Sequence, residues 1–416
     1  MRKAALAGSV GNVVEWYDWG AYAAFAFYLS HQFFPAENQA AALISTFAVF
    51  AVGFIARPVG SVTLGRITDR IGRRATLTVT VLIMCGTSFL IGVAPTAATI
   101  GIWAAVFLTV IRLVQGLALG AETSAVSSFL IESAGPRARG RMVALYGATA
   151  SIGALLGALV GFILTELLNS DQMNAFGWRI PFLLGGVLGL VAFIIRRHGE
   201  ETLSEDSKPL PHPIRTLIRE HRGVAVRIFV MGGAMALVYF TMVMSFPPVA
   251  QAVGAAPAAT YAANAIALAM LIVLGPAFGM LSDLWGRRRV LMLGYIATAV
   301  VVIPVVALMW DPSATWRVYA AQFLVVIPFS AIVGPVTAPL LEQLPQNLRG
   351  VGYGFLWACA MALFGGTGPM ISTWLASHEI NFTMSAYFLV MLIAAAIATF
   401  TMKETAFAPM REDQAD

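Results

Sequence analysis

The chain has 416 residues, of which 59% are hydrophobic and 11% charged, and its formal net charge is +5. Ordinary soluble proteins carry about 25% charged residues, so this composition excludes a soluble globular chain and indicates a membrane protein. The basic balance does not indicate a nucleic-acid partner, because the positive charges follow membrane topology, as described below.

Twelve apolar runs follow one another along the chain. Each is long enough to cross a bilayer as a helix, since about 20 residues span a hydrocarbon core of about 30 Å. The period-two alternation of β-barrel strands is not seen, and the sequence therefore predicts an all-α protein embedded in a lipid bilayer. The runs cover roughly 11–34, 40–63, 76–95, 100–132, 142–167, 180–197, 224–250, 258–281, 290–309, 315–341, 351–376 and 384–402.

The first apolar run contains two acidic residues. Glu15, Asp18 and Tyr22 are spaced i, i+3, i+7 and share one helix face. A charge at mid-membrane costs at least about 2.5–3.5 kcal/mol, so such residues are functional candidates. Neighbouring carboxylates and burial both raise proton affinity, which makes Glu15 and Asp18 candidate proton carriers. Alternatively, they pair permanently with Arg57 of the second run or Arg112 of the fourth; for Arg57, packing and substrate binding are both open.

The fourth run carries Arg112, Gln115 and Glu122. Gln115 lies on roughly the same helix face as Arg112, and Gly116 and Gly120 form a ridge of small residues that lets another helix approach closely. A guanidinium at this depth offers a bidentate fork suited to a carboxylate, either that of a substrate or that of an internal acid. Glu122 is a further candidate proton carrier.

A ten-residue motif occurs once in each half of the chain. Residues 65–74 read Gly-Arg-Ile-Thr-Asp-Arg-Ile-Gly-Arg-Arg, and residues 279–288 read Gly-Met-Leu-Ser-Asp-Leu-Trp-Gly-Arg-Arg. Each copy is a charged island of turn-forming residues and is predicted to be a loop. A second pair of matching segments, 132–140 and 342–350, follows in the same order. Self-similarity at a fixed distance indicates two copies of one structural unit.

The repeat predicts two pseudo-symmetric six-helix bundles, formed by residues 1–197 and 223–416. Between them lies a long polar stretch, 198–222, with three prolines and mixed charges. Such a composition is typical of a linker and not of a packed domain. The second bundle is expected to end in a short cytoplasmic tail.

The positions of the 26 lysines and arginines predict the orientation of the chain. If the N-terminus is cytoplasmic, Arg179 and Arg317 lie on the far side, and Arg57 and Arg112 lie within helices. All other basic residues then fall in cytoplasmic loops and termini. This asymmetry follows the positive-inside rule, so both termini are expected in the cytoplasm.

The repeated motif resembles the signature of the major facilitator superfamily, and the segment 112–120 resembles that superfamily's second signature. Segments 11–18, 53–60 and 177–182 are similar to those of the metabolite:proton symporter family, which includes permeases for α-ketoglutarate, citrate, shikimate and proline/betaine. The resemblance covers nearly the whole chain. It implies the major facilitator fold, with twelve transmembrane helices around a central cavity, and transport by alternating access.

In this setting the repeated motif is a candidate gate on the cytoplasmic side. Its aspartates can cap a helix or face the positive N-terminal end of a helix from the opposite half. Its arginines can pair with the acids that end the fourth helix of each half. The predicted gate residues are Asp69, Arg73, Glu132, Asp283, Arg287 and Glu342.

The sequence thus predicts a proton-coupled secondary transporter that imports a mono-, di- or tricarboxylate across a bacterial cytoplasmic membrane and functions as a monomer. The proton is the coupling ion, and no other cofactor and no metal is expected. No catalytic cluster is visible, so an enzyme is not predicted.

Two alternatives stay open, an importer of a zwitterion such as proline or betaine and a non-transporting nutrient sensor on the same fold. Polar side chains of the second half, such as Asn264 and Gln322, are candidates to complete the pocket. The candidate substrate-binding residues are Arg112, Arg57, Tyr22 and Gln115, and the candidate proton carriers are Asp18, Glu15 and Glu122.

Overall fold

A computed structural model shows how the chain folds. Helix is the dominant state, and no β-strand occurs in the part of the chain that the structure describes. This is expected of a chain surrounded by lipid, where each backbone polar group needs a partner within its own segment. The described residues are 2–34, 38–71, 73–120, 127–128, 130–132, 134–135, 137–196, 213–311, 314–378 and 380–407.

The N-terminal half begins with two helices that are separated by Phe25 alone and cross as one unit. A 3₁₀ turn, Gly177–Arg179, leads into its last helix. The helices of this half are α1 (Arg2–Ala24), α2 (Ala26–Phe33), α3 (Gln39–Ile71), α4 (Arg73–Gly92), α5 (Ala97–Ile100), α6 (Trp103–Leu119), α7 (Arg139–Leu167), α8 (Ser170–Ala175) and α9 (Ile180–Arg196).

The C-terminal half contains two π-helical segments within its membrane helices, π1 (Tyr239–Met244) and π2 (Met361–Gly366). The other helices of this half are α10 (Pro213–Glu220), α11 (Arg222–Val238), α12 (Phe246–Ala252), α13 (Pro257–Trp285), α14 (Arg287–Trp310), α15 (Thr315–Val333), α16 (Thr337–Glu342), α17 (Gln346–Arg349), α18 (Val351–Ala360), α19 (Gly368–Ser377) and α20 (Asn381–Phe400).

The membrane spans agree with the apolar runs of the sequence. Among the described residues, nine helical stretches are long and apolar enough to cross a membrane, and Thr78–Gly92 and Trp103–Leu119 are shorter apolar helices. With the α1–α2 unit, they match the twelve predicted runs, and the predicted all-α fold of twelve membrane helices is confirmed. The linker predicted at 198–222 lies outside the described residues up to 212, and the domain boundaries stay predictions.

The repeated motif is helical where its composition predicts a loop. In the second copy, α13 continues to Trp285, Gly286 alone forms the turn with φ of +101°, and α14 begins at Arg287. Glycine adopts this left-handed conformation readily, so one residue is enough to reverse the chain. The loop prediction is therefore wrong, and Asp283 and Arg287 lie on the last and first turns of two adjoining helices.

Backbone carbonyls of π1 accept hydrogen bonds from side chains because a proline follows the segment. Pro247 has no N–H, so it cannot donate to the carbonyl of Val243 in the preceding turn. The Asn264 side chain donates to this carbonyl at 2.6 Å, and the Gln322 side chain donates to the carbonyl of Met242 at 2.7 Å. These two amides were candidates to complete a substrate pocket, but in the structure they satisfy the helix backbone.

The two halves contact each other at both ends of the molecule. At the end that carries the second motif copy, here the motif end, a Cβ added to Gly279 would lie 2.9 Å from the carbonyl oxygen of Gly140, so α7 and α13 cross closely. At the opposite end, here the far end, the Tyr261 hydroxyl donates to the carbonyl of Ala24 at 2.9 Å. The two halves thus contact each other at the motif end and at the far end.

Candidate functional site

A ridge of glycines places the central charged residues. A Cβ added to Gly60 would lie 2.9 Å from Leu117 Cα, and one added to Gly116 would lie 2.8 Å from the Gly53 carbonyl carbon. The backbones of α3 and α6 therefore touch, as the small residues of α6 predict. This contact brings Arg57 of α3 to the same region as the basic residue of α6.

Asp18, Arg112 and Gln115 form a buried cluster between α1 and α6. Arg112 Nη1 donates to Asp18 Oδ2 at 3.0 Å, and Gln115 Nε2 donates to the same oxygen at 3.1 Å. The side chains of Arg112 and Asp18 are 0% and 3% exposed. Asp18 Oδ1 has no hydrogen-bond partner among the described residues, so this oxygen can accept a further hydrogen bond or a proton.

Tyr22 is an aromatic cover for this cluster. The Arg112 Cζ lies 3.8 Å from the centroid of the Tyr22 ring, and the Tyr22 hydroxyl donates to the carbonyl of Thr46 at 3.0 Å. The hydrogen bond holds the ring in place over the guanidinium. Asp18 and Tyr22 thus share the helix face that their spacing predicts.

Arg57 packs against two aromatic rings that also contact each other, with centroids 4.5 Å apart. Its Cζ is 4.4 Å from the Trp19 centroid and 4.2 Å from the Phe54 centroid. Its Nε and Nη2 have no hydrogen-bond partner among the residues described. Cation–π attraction stabilises this position, but it does not neutralise the charge.

The other two candidate proton carriers are placed differently. Glu15 is buried beside a small cavity that Thr80 of α4 and Leu119 of α6 also line, and it acts electrostatically on Arg57. Glu122 lies outside the described residues. The roles of the acids stay predictions.

The C-terminal half contributes aromatic rings to the centre. Phe240 of π1 packs edge-on against Phe54 with centroids 4.7 Å apart and stacks on Trp16 at 5.9 Å. Tyr239 meets Trp16 edge-on at 5.9 Å. Aromatic rings of the two halves thus pack against each other near the central charged residues.

A second ionic cluster lies at the motif end. Asp283 accepts hydrogen bonds from the backbone N–H groups of Gly140 and Arg141, both at 2.9 Å. These groups belong to the first turn of α7, so an aspartate of one half caps a helix of the other. Arg287 Nη2 lies 2.7 Å from Asp283 and 3.1 Å from Glu342.

The structure describes fewer of the predicted gate side chains that belong to the N-terminal half. The side chains of Asp69 and Arg73 lie outside the described part of the structure. Glu132 forms an ion pair of 3.1 Å with Arg349 of the opposite half, whereas the sequence pairs it with Arg73. The second repeated segment, 342–350, contains Arg349, and this was the signal that sequence reasoning left unused.

The chain after α20 adds a contact that no sequence signal marked. Glu404 accepts hydrogen bonds from the backbone N–H groups of Arg287 at 2.8 Å and Arg288 at 3.1 Å. It therefore caps the first turn of α14. The adjacent Thr405 hydroxyl donates to Glu342 at 2.5 Å, so the tail is joined to the same ionic cluster.

Comparison with known proteins agrees with this architecture. The sequence profile of the Major Facilitator Superfamily matches residues 8–369. The chain is 31% identical to the α-ketoglutarate permease of Escherichia coli K12, covering 96% of this chain and 93% of the permease. It is 32% identical to the citrate-proton symporter of Klebsiella pneumoniae, covering 88% of this chain and 84% of the symporter.

Two further matches extend the comparison, one to another relative and one to a solved structure. The proline/betaine transporter of E. coli K12 is 29% identical, with coverage of 99% of this chain and 85% of the transporter. Among solved structures, a crystal structure of a D-xylose-proton symporter matches with a TM-score of 0.78 at 17% identity, covering 98% of this chain and 99% of that one. This last match shows the fold alone.

Proposed function

The chain belongs to the major facilitator superfamily, and we propose that it is a proton-coupled importer of a small organic anion. It is a multi-pass membrane transporter, and its curated relatives include symporters for carboxylates and transporters for proline and betaine. The finer assignment to an organic anion rests on the centre of the molecule. There, Asp18 and Arg112 form a buried pair, and Arg57 lies beside them without a carboxylate partner among the described residues.

Asp18 is suited to carry the proton. The Asp18 carboxylate accepts from Arg112 and Gln115 through one oxygen, while its other oxygen has no partner among the described residues. Protonation would remove the charge that attracts Arg112 and change the packing of α1 against α6. A group that changes charge once per cycle can link proton movement to a change of state.

The ionic cluster at the motif end supports alternating access. Asp283 of α13 accepts hydrogen bonds from the α7 backbone, and Glu132 pairs with Arg349, so both contacts join the two halves directly. We place this end in the cytoplasm, with both termini, because the basic residues concentrate there. Breaking these contacts would open the cytoplasmic side while the far end, joined by Tyr261 and Ala24, stays closed.

A zwitterion importer is the second candidate. The observation that favours it is the group of rings formed by Trp16, Tyr239 and Phe240, with centroid distances of 5.3 to 5.9 Å. Aromatic faces attract quaternary ammonium groups, and such a group attached to a carboxylate would suit a site with Arg57 nearby.

Counterflow in proteoliposomes tests the proposal. Purified protein is loaded with unlabelled propionate, glycine betaine, α-ketoglutarate or citrate, and uptake of the labelled compound is measured with and without an inward proton gradient. We expect exchange of at least one anion and its accumulation only with the gradient. Accumulation of glycine betaine alone would favour the zwitterion importer, and failure to exchange any compound would contradict transport of small carboxylates and favour a sensor.

A further inference from the structure

Arg57 differs from the other buried arginines whose partners are known. Arg112 pairs with Asp18, Arg287 with Asp283 and Glu342, and Arg349 with Glu132. Arg57 is 7% exposed and forms no ion pair with any carboxylate among the described residues. Charged groups within a membrane protein are rarely left without a partner, so Arg57 is a candidate, among the described residues, to bind an anion from outside the chain.

The unpartnered atoms of Arg57 define the geometry of binding. Nε and Nη2 both lack hydrogen-bond partners among the residues described. These two nitrogens are on the same edge of the guanidinium and together form a fork that a carboxylate accepts with both oxygens. Trp19 and Phe54 also contact the guanidinium, with ring centroids 4.4 and 4.2 Å from Cζ.

Arg112 is less suited to this role, although its Nε and Nη2 also lack partners in the described structure. Its charge is balanced by Asp18 at 3.0 Å, and its side chain is 0% exposed. An incoming carboxylate would meet the negative charge of Asp18 at the same place. At Arg57 it would meet the electrostatic influence of Glu15 but, among the described residues, no carboxylate in an ion pair with the guanidinium.

Phe240 of the opposite half packs against Phe54, one of the two rings that contact Arg57. Its ring lies 4.7 Å from the Phe54 ring, and a Cβ added to Gly365 of π2 would lie 2.6 Å from the Phe240 ring. The Phe240 ring is thus packed between Gly365 of π2 and the ring of Phe54. π-Helical segments occur often at functional sites. Relative motion of the two halves would separate the Phe240 ring from Phe54.

We propose that Arg57 binds the carboxylate of the substrate, that Phe240 closes over it, and that the substrate carries a single carboxylate. This inference rests on the proposed transport of an organic anion and makes it more specific. Within the described structure, Arg57 is the central guanidinium that forms no ion pair with a carboxylate, so a second substrate carboxylate would be buried without a cation of its own. A monocarboxylate anion and a zwitterion share this chemistry.

The first test compares binding by purified wild-type protein and the variants Arg57→Lys and Arg57→Gln. Arg317→Gln, at the exposed start of α15, is the matched control. The probes are propionate, glycine betaine, α-ketoglutarate and citrate, measured by competition for counterflow and by quenching of tryptophan fluorescence. Because a charge-assisted hydrogen bond stabilises binding, Arg57→Gln should lower the affinity for the best probe by at least about tenfold. The affinity of Arg57→Lys should lie between those of Arg57→Gln and the wild type, and that of the control should be unchanged.

Two results would overturn the inference. Unchanged affinity of Arg57→Gln for the best probe would remove Arg57 from the site, and strongest binding of α-ketoglutarate or citrate would remove the single-carboxylate assignment. Neither result affects the proposed transport of an organic anion, which fails if the wild type exchanges no probe or accumulates glycine betaine alone.

A second variant does not depend on the folding of the arginine mutants. Phe240→Leu keeps Arg57 and the two rings that contact it but replaces the Phe240 ring with a smaller side chain. The bound probe should leave the purified variant at least about threefold faster than it leaves the wild type, a difference within the range of one lost aromatic contact. An unchanged rate of release would contradict the covering role.

Discussion

The two ionic clusters of this protein differ in how completely their members are partnered. At the motif end, Asp283 uses both carboxylate oxygens, and Arg287 contacts Asp283, Glu342 and Ser282. At the centre, Asp18 uses only one oxygen, and Arg57 contacts only aromatic rings among the described residues. The first cluster also joins the two halves, whereas the Asp18–Arg112 pair lies within one half.

This difference indicates different tasks. A fully partnered network between halves stabilises one arrangement of the molecule, because separating the halves leaves several buried charges unpaired. An incompletely partnered cluster retains unsatisfied donors and acceptors, which a proton or an anion can satisfy. The variants below test this division, beginning with the largest expected effect.

Asp18→Asn should abolish accumulation while leaving energy-independent exchange. A proton gradient worth about 1.4 kcal/mol supports roughly tenfold accumulation, and we expect the ratio to fall to about one because the amide cannot be protonated in its place. Uptake with and without the gradient measures this, with Glu166→Gln, an exposed acid at the end of α7, as the control. Glu15→Gln and Glu122→Gln are measured in parallel, and normal accumulation by all three variants would place coupling elsewhere.

Arg112→Gln should destabilise the protein by about 3–5 kcal/mol, because it leaves Asp18 charged, buried and without its cation. The double variant Arg112→Gln with Asp18→Asn should recover both thermal stability and binding of the best probe. Thermal unfolding in detergent and probe binding are the measurements. If stability returns but binding does not, Arg112 contacts the substrate and is more than the partner of Asp18.

Asp283→Asn should slow transport while largely preserving probe binding. Hydrogen bonds to a charged group are worth about 1.5–3 kcal/mol, so the closed state of the motif end should lose at least about tenfold in population. A cysteine reporter at Ser128, in a background with Cys85 and Cys359 replaced by alanine, measures opening of that end through its labelling rate.

Asp171→Asn, an exposed acid of α8, is the control for this experiment, and Asp69→Asn tests the first motif copy. Loss of probe affinity in both motif variants to the same extent as transport would contradict a gating role.

Glu404→Gln should have the smallest effect. The amide can still accept hydrogen bonds but lacks the charge that favours the N-terminal end of α14, a difference of about 0.3–1 kcal/mol. The same Ser128 reporter should label a few-fold faster than in the protein with native Glu404. Labelling at the unchanged rate would mean that the tail does not hold the motif end closed.

Sequence reasoning reached the central pair because its signals are local. The i, i+3, i+7 spacing placed Asp18 and Tyr22 on one face, and both meet Arg112 in the structure. The glycine spacing of α6 also predicted its close approach to another helix. The repeat indicated that Asp283 could face a helix of the opposite half.

The partners that sequence reasoning missed are remote in the chain. Glu132 pairs with Arg349, more than two hundred positions away, and Glu404 caps α14 from beyond the last membrane helix. Phe240 reaches Phe54 from the other half. No helical period relates such residues, since periodicity describes one helix and not its rotation against another.

By itself, the sequence determined the apolar spans, their number, the two-fold repeat and which membrane-embedded residues carry charge. These features follow from hydropathy and spacing, which act within a segment. Only the tertiary structure decided that Arg112 is balanced by Asp18 while Arg57 packs against two aromatic rings, because the packing of α1, α3 and α6 sets which charge lies within hydrogen-bond distance of which.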